Sequence, residues 1–139
     1  MSEKWNDLYN TGISRFDNIN KKIVNDLYLL SENISQGIED AKNHELFKKI
    51  IHNMIDLWLF EENLMEEMNY DKLDVHLKVH SRLWNMIKKL NGYFESNVYL
   101  DNIDLFKDLR EEFLNHIDFD DKKFSKYLNE QGYEQLDYV

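Results

Sequence analysis

The chain has 139 residues and a formal net charge of −10, from 17 basic and 27 acidic side chains. This length fits one domain with a single hydrophobic core, and the acidic surplus disfavours binding to nucleic-acid phosphates and to anionic membrane surfaces. The absence of cysteine excludes disulfides, thiolate metal ligands and cysteine nucleophiles.

The chain contains no proline and only four glycines, so it can support long helices. Residues 1–16 show little helical periodicity, and we expect an N-terminal arm that packs across the helices through its aromatic side chains, Trp5 and Tyr9. The first helix is predicted at about 17–35, where apolar residues recur with the helical period of 3.6.

A second helix is predicted at about 40–68. Its inward stripe advances by three or four residues at a time, and every member is apolar except Glu61: Leu46, Ile50, Met54, Leu57, Glu61, Leu64 and Met68. A carboxylate on an apolar helix face is costly unless it is paired or binds a cation. The alternative interpretation is that the stripe drifts and that Glu61 lies at its rim.

A third helix is predicted at about 72–95, with Asp71 as its candidate N-cap. His76 and His80 stand four residues apart on the stripe that should face the core. Two imidazoles one helical turn apart on one face can reach a single metal ion, although two solvated histidines would have the same spacing.

The fourth helix is predicted at about 100–128, with His116 on its inner face. Four amphipathic helices with short connections predict an all-α, up-down-up-down four-helix bundle in a single domain, 1–139. Antiparallel order brings the end of the second helix, the start of the third and the far end of the fourth to one level. We therefore expect a metal site where four side chains converge there: Glu61, His76, His80 and His116.

The apolar runs are too short to cross a bilayer, and the first residues lack the basic and apolar segments of a signal peptide. We therefore expect a cytoplasmic protein with neither a membrane nor a nucleic acid as its partner. The oligomeric state is left open by the sequence.

Several motifs resemble those of the hemerythrin family, in particular its bacterial single-domain members, over nearly the whole chain. They are Trp5 with Tyr9-Asn10-Thr11-Gly12-Ile13 and Phe16-Asp17, then Glu61-Glu62-Asn63-Leu64-Met65, His76-x-x-x-His80, and His116-x-x-x-x-Asp121. The family holds two irons through five histidines and two bridging carboxylates.

By position, the resemblance implies that Glu61 and Asp121 are the bridging carboxylates. It also implies that His76, His80 and His116 are the terminal ligands of one iron. On a regular α-helix Asp121 would lie about 140° around the axis from His116, so a local distortion of the helix is expected if both bind metal.

The ligands of the other iron differ from the family pattern, because Asn20 and Leu57 occupy the positions of its two histidines. We therefore expect one bound ion, most simply iron, with zinc or manganese as alternatives. Two irons are the other alternative, in which the Asn20 amide serves as a substitute ligand at the second metal position.

The resulting hypothesis is a non-haem metal-binding protein that binds or senses dioxygen or a similar diatomic ligand. One alternative is a dinuclear iron protein that binds or stores oxygen, and another is a metal-free helical module for protein interactions. An enzyme is not expected, since the chain shows no nucleophile–base pair, glycine-rich phosphate loop or nucleotide fingerprint.

Overall fold

The computed structural model describes residues 5–38, 40–96 and 103–133. A short 3-10 helix, Asp7–Tyr9, precedes the four long helical elements of the bundle, here called its legs. The first three are single helices, α1 (Ser14–Ser35), α2 (Asp40–Glu67) and α3 (Leu73–Glu95). The last leg consists of α4 (Ile103–His116), a π-helical segment (Ile117–Asp121) and α5 (Lys122–Glu130). Helices α1 and α3 each pack against both α2 and α4. The predicted all-α four-helix bundle is therefore confirmed.

Within the described residues, the observed boundaries differ from the predicted ones by at most three residues. Helix α1 begins at Ser14 rather than near residue 17, and α5 ends at Glu130 rather than near 128. The predicted start of the fourth helix near residue 100 lies outside the described residues. Asp71 as the N-cap of α3 is wrong, because Lys72 occupies that position and no side chain caps the helix there.

In the described ranges, no helix combines the length and the apolarity needed to cross a membrane.

The N-terminal arm is held against the bundle by Trp5 and Tyr9, whose rings lie 5.7 Å apart and pack against the core. The Trp5 backbone N–H donates to Asn25 Oδ1 at 2.9 Å, which ties the arm to α1. Leu8, between Trp5 and Tyr9 in the chain, is 78% exposed. It lies in the middle of the 3-10 helix, where its side chain turns outward; its backbone N–H donates to Asn6 Oδ1 at 2.9 Å, and its carbonyl accepts from Lys122 Nζ at 2.6 Å.

The turn between α2 and α3 determines how the two helices meet. Tyr70 N–H donates to the carbonyl of Met65 at 2.9 Å and Asn69 N–H to that of Glu66 at 3.2 Å, the bond pattern of a Schellman motif. Asn69 takes the left-handed backbone conformation that this motif needs (φ 54°), which asparagine tolerates better than most residues. The late residues of α2 therefore lie beside the first turns of α3.

Phe16 joins three helices at the same end of the bundle. Its side chain is fully buried, and its ring centroid lies 5.8 Å from that of Phe60 in α2 and 6.3 Å from that of Phe124 in α5. Helix α1 runs antiparallel to α2 and to the last leg. The residue one turn after Phe16 in α1 therefore lies at the level of the residues that precede Phe60 and Phe124 by one turn.

We expect Phe16→Ala to lower the free energy of unfolding by roughly 3–5 kcal/mol, because it removes a fully buried ring and leaves a cavity between three helices. Leu29→Ala, at a side chain of the same helix that is 47% exposed, is the matched control and should change stability by less than about 1 kcal/mol. Urea denaturation followed by circular dichroism measures both. Equal losses in the two variants would contradict this packing.

Candidate metal centre

Five ionisable side chains from three legs of the bundle meet in its interior. Each is at most 3% exposed: Glu61 of α2, His76 and His80 of α3, His116 of α4, and Asp121 of the π-helical segment. Such groups are normally solvated, and burial of several together is unfavourable unless they satisfy one another or share a cation. Glu61 therefore does not lie at the rim of its helix stripe, and His76 and His80 are not solvated, so both alternative interpretations are wrong.

The inward-facing atoms of these groups surround one point. His76 Nε2 lies 3.3 Å from Glu61 Oε1 and 3.2 Å from Asp121 Oδ1. Four of the groups offer ligand atoms that all lie within 4.8 Å of one another: Glu61, His76, His80 and His116. Two ligands about 2.1 Å from one ion would be about 3.0 Å apart at right angles and about 3.4 Å apart at the tetrahedral angle. The observed separations fit a shared metal ion.

The two remaining imidazoles are oriented from behind by carboxylates. His80 Nδ1 donates to Glu62 Oε2 at 2.7 Å, and His116 Nδ1 donates to Asp120 Oδ2 at 3.0 Å. In the neutral form, each ring then carries its lone pair on Nε2, and these two Nε2 atoms are 2.9 Å apart. Two lone pairs at this distance repel unless a proton or a cation lies between them. A carboxylate behind a metal-binding imidazole is the usual support at such sites.

Two carboxylate oxygens at the centre have neither a hydrogen-bond nor an ion-pair partner among the described residues: Glu61 Oε2 and Asp121 Oδ2. An anionic oxygen buried in this way is costly, and a divalent cation would compensate both oxygens at once. The donor set of three imidazoles and two carboxylates therefore suits a metal ion.

The π-helical segment brings Asp121 to the same side of the last leg as His116. A regular α-helix would place residues five apart about 140° around the axis from each other. A π-helix closes its hydrogen bonds between residues i and i+5, so His116 and Asp121 lie one above the other. The distortion expected between these residues is this single turn, and such turns are frequent at functional sites.

Ionisation of the centre is dominated by contacts between its own members. Burial raises the pKa of the Glu61 carboxyl, but hydrogen bonds to His76 and His80 outweigh burial and lower this pKa to about 2. Burial lowers the pKa of the His76 imidazole, but hydrogen bonds to Asp121 and Glu61 outweigh it and raise this pKa to about 10. At neutral pH, and in the absence of a cation, an ionised Glu61 thus faces a protonated His76.

Two supporting residues were missed by the sequence interpretation, Glu62 and Asp120. Their sequence signals were weak: Glu62 adjoins Glu61, and Asp120 follows His116 by four residues within a run of acidic side chains that resembles a solvated face. Burial raises the pKa of Asp120, but its hydrogen bond with His116 outweighs burial and lowers the pKa overall. Trp58 adds an apolar support, since its ring stacks on His80 with centroids 4.7 Å apart.

Asn20 and Leu57 are both buried. The packing of Phe16 on Phe60 and Phe124 puts Asn20 at the level of Leu57 and of Asp121, on the side of the centre opposite α3. Neither polar atom of the Asn20 side chain has a hydrogen-bond partner in the described part of the chain. Leu57 offers no ligand atom. Asn20 is therefore the one side chain of this pair that could contact a metal ion or its ligand.

The two other histidines of the chain do not contribute to the centre. His52 is exposed and lies 3.2 Å from Asp56 on its own helix. His44 is half-buried, and its ring stacks on that of Phe94 with centroids 5.2 Å apart. These residues are useful as controls in metal-binding experiments.

Comparison with known proteins agrees with this geometry. The family profile described as the hemerythrin HHE cation binding domain matches residues 11–128. The bacteriohemerythrin of Pseudomonas paraeruginosa is 33% identical over 118 residues, which cover 84% of this chain and 75% of that protein. The bacteriohemerythrins of Pseudomonas aeruginosa strains LESB58 and PAO1 are 32% identical with the same coverage. No solved structure matches the chain significantly. The chain belongs to the hemerythrin family.

Proposed function

We propose that this chain binds one non-haem iron ion through five side chains, His76, His80, His116, Glu61 and Asp121, and that the iron-loaded protein binds dioxygen or a similar small ligand. The observation that carries the proposal is the pair of Nε2 atoms, on His80 and His116, held 2.9 Å apart. Carboxylates hydrogen-bonded to Nδ1 of both rings leave these atoms available as ligands.

The charges of the centre support a divalent ion. The Glu61 and Asp121 carboxylates together supply two negative charges, which a divalent ion neutralises inside the bundle. Zinc in structural sites is usually four-coordinate, whereas five donors of imidazole and carboxylate type suit a six-coordinate iron with one position left. When bound, ferrous iron would supply the electrons that the uptake of dioxygen needs.

The residues around that ion have separate roles in the proposal. Glu62 and Asp120 fix the tautomers of His80 and His116, so that each ring presents Nε2 to the ion. Trp58 stacks on the His80 ring, which is only 3% exposed, and holds it in place. Binding is proposed rather than catalysis, because the described side chains next to the centre include no nucleophile with an adjacent base.

A dinuclear iron centre is the second candidate function. It is favoured by the unpaired Asn20 amide together with Glu61 Oε2 and Asp121 Oδ2, which could hold a second ion with water. Leu57 weighs against a dinuclear centre, because it offers no ligand atom. The second ion would then have only the Asn20 amide as a ligand besides the bridging carboxylates of Glu61 and Asp121.

The protein purified after iron supplementation should contain one iron per chain, measured by elemental analysis against protein concentration. His76→Ala and His116→Ala should each lose most of this iron, since each removes one of three imidazole ligands. His52→Ala, at the exposed histidine, should keep it. Chelation should lower the Tm of the wild type but not that of His76→Ala, since a bound metal stabilises the native state.

Two results would contradict this assignment. Two tightly held irons per chain would favour the dinuclear centre. A wild-type protein that contains no metal and whose Tm is unchanged by exhaustive chelation would favour the metal-free interaction module.

Metal binding should release a proton at neutral pH. His76, whose pKa is raised to about 10, must lose its proton to become a ligand, whereas Glu61 is already ionised. The apparent affinity should therefore rise about tenfold per pH unit between pH 7 and 9 and level off above the His76 pKa. Calorimetry with ferrous or zinc ion in buffers of different ionisation enthalpy measures the release. A heat of binding that is independent of the buffer would contradict it.

Restoring two histidines tests whether the chain keeps room for a second ion. The double variant Asn20→His with Leu57→His should raise the metal content from one to two ions per chain, because it supplies the two missing imidazoles. The double variant Asn20→Ala with Leu57→Ala is the control and should stay at one. If the histidine variant folds, as judged by circular dichroism, and still binds one ion, then the surroundings of Asn20 do not form a second site.

A further inference from the structure

An apolar groove follows the outer seam between α2 and α3. Its first part has a volume of about 320 Å³, and three of its large apolar side chains are substantially exposed: Ile55 (37%), Leu59 (55%) and Leu77 (38%). Trp58 and Trp84 form much of its floor. Exposed apolar side chains are common singly, but such a cluster along one seam usually marks an interaction surface.

The groove continues beyond Trp84, which also lines a second part of about 410 Å³. There Ile51 and Ile87 extend the apolar floor. Three charged side chains lie beside it, Lys48, Lys88 and Glu95, so this end carries one net positive charge. From residue 48 to residue 62, the α2 side of the groove covers about 21 Å.

The charges along α2 are arranged symmetrically about Ile55. Glu62 lines the groove seven residues after Ile55, and Lys48 lines it seven residues before, so each lies about 10 Å from the middle on opposite sides. Leu59 and Ile51 lie four residues to either side. Consider a two-fold axis that passes through Ile55, lies in the plane of the groove and is perpendicular to the helices. Rotation by 180° about this axis exchanges the Glu62 end of the groove with the Lys48 end.

We propose that the occupant of this groove is a second copy of the chain, packed antiparallel about that two-fold axis. Glu62 then meets the partner's Lys48, and Leu59 packs beside the partner's Ile51. Ile55 lies next to the same residue of the partner. An isologous dimer requires a surface that is complementary to itself under a half-turn, and this charge arrangement has that property.

The dimer surface also touches the support of the metal centre. Glu62 lies at the edge of the groove and accepts the hydrogen bond of His80 Nδ1, and Trp58 forms the floor of the groove and stacks on the His80 ring. Neither contact requires a bound metal, so the dimer is independent of the function proposed above and can be tested on either form.

Cross-linking tests the axis directly, because the chain contains no cysteine of its own. Oxidised Ile55→Cys should form a disulfide-linked dimer at least about tenfold faster than Leu29→Cys, an exposed position on α1 that serves as the control. Light scattering and sedimentation of the wild type should give a mass that rises with concentration towards twice 17.0 kDa.

Charge exchange tests the pairing of the ends. Lys48→Glu and Glu62→Lys each place like charges opposite one another, and each should raise the dimer dissociation constant at least about tenfold. Mixing the two variants should restore dimers, because the mixed pair has one Glu–Lys contact at either end. Lys49→Glu, at an exposed position outside the groove lining, should dimerise like the wild type.

Two results would overturn the proposal. One is a wild type that stays monomeric at high concentration while Ile55→Cys cross-links no faster than Leu29→Cys, which would leave the groove to a different partner. The other is a wild-type dimer that neither Lys48→Glu nor Glu62→Lys weakens, which would place the interface elsewhere. Circular dichroism of each variant separates loss of dimer from loss of fold.

Discussion

The burial of three imidazoles and two carboxylates at one point is the constraint on which this structure depends. Glu61 and His76 lie 3.3 Å apart, and each is at most 2% exposed to water. The charge on either side chain therefore changes the pKa of the other. Replacing the set by apolar side chains would remove the cost of desolvation. The chain instead keeps the polar set and adds Glu62 and Asp120 behind it, which is the arrangement expected if these side chains hold the metal ion proposed above.

The backbone around the centre is adapted to this set of side chains. Asn69 takes a left-handed conformation in the turn that brings the end of α2 beside the start of α3. The last leg changes from α to π for five residues, which turns Asp121 to the side of His116. A π-helical turn has poorer packing and hydrogen bonding than an α-helical turn, so its presence at this position is best explained by the placement of the carboxylate.

Much of the centre could be predicted because polar residues interrupt a regular apolar pattern. Glu61, His76, His80 and His116 occupy positions where the 3.6-residue period requires apolar side chains, and antiparallel order brings those positions to one level. Asp121 could not be found in this way, since the period of a regular helix turns it away from His116. It was identified only through the resemblance to the family.

The supporting residues were harder to predict for a physical reason. Glu62 and Asp120 lie at the rim of the bundle, where a carboxylate is equally compatible with solvent and with a hydrogen bond to a buried imidazole. The outward turn of Leu8 and the uncapped start of α3 depend on contacts among distant residues and on local backbone geometry, which periodicity does not report.

The two sides of the centre differ in what they offer to a ligand. On the α3 side, His80 is backed by Trp58 and Glu62, which separate it from most of the outer groove. On the α1 side, the fully buried Asn20 is a neutral group that can donate and accept hydrogen bonds but carries no charge. A small uncharged ligand approaching a metal ion from the α1 side would meet an amide and the apolar Leu57, where the family pattern has two imidazoles. Relative to the family pattern, the α1 side of the centre therefore differs in chemistry, whereas three imidazoles and two carboxylates are present on the other side.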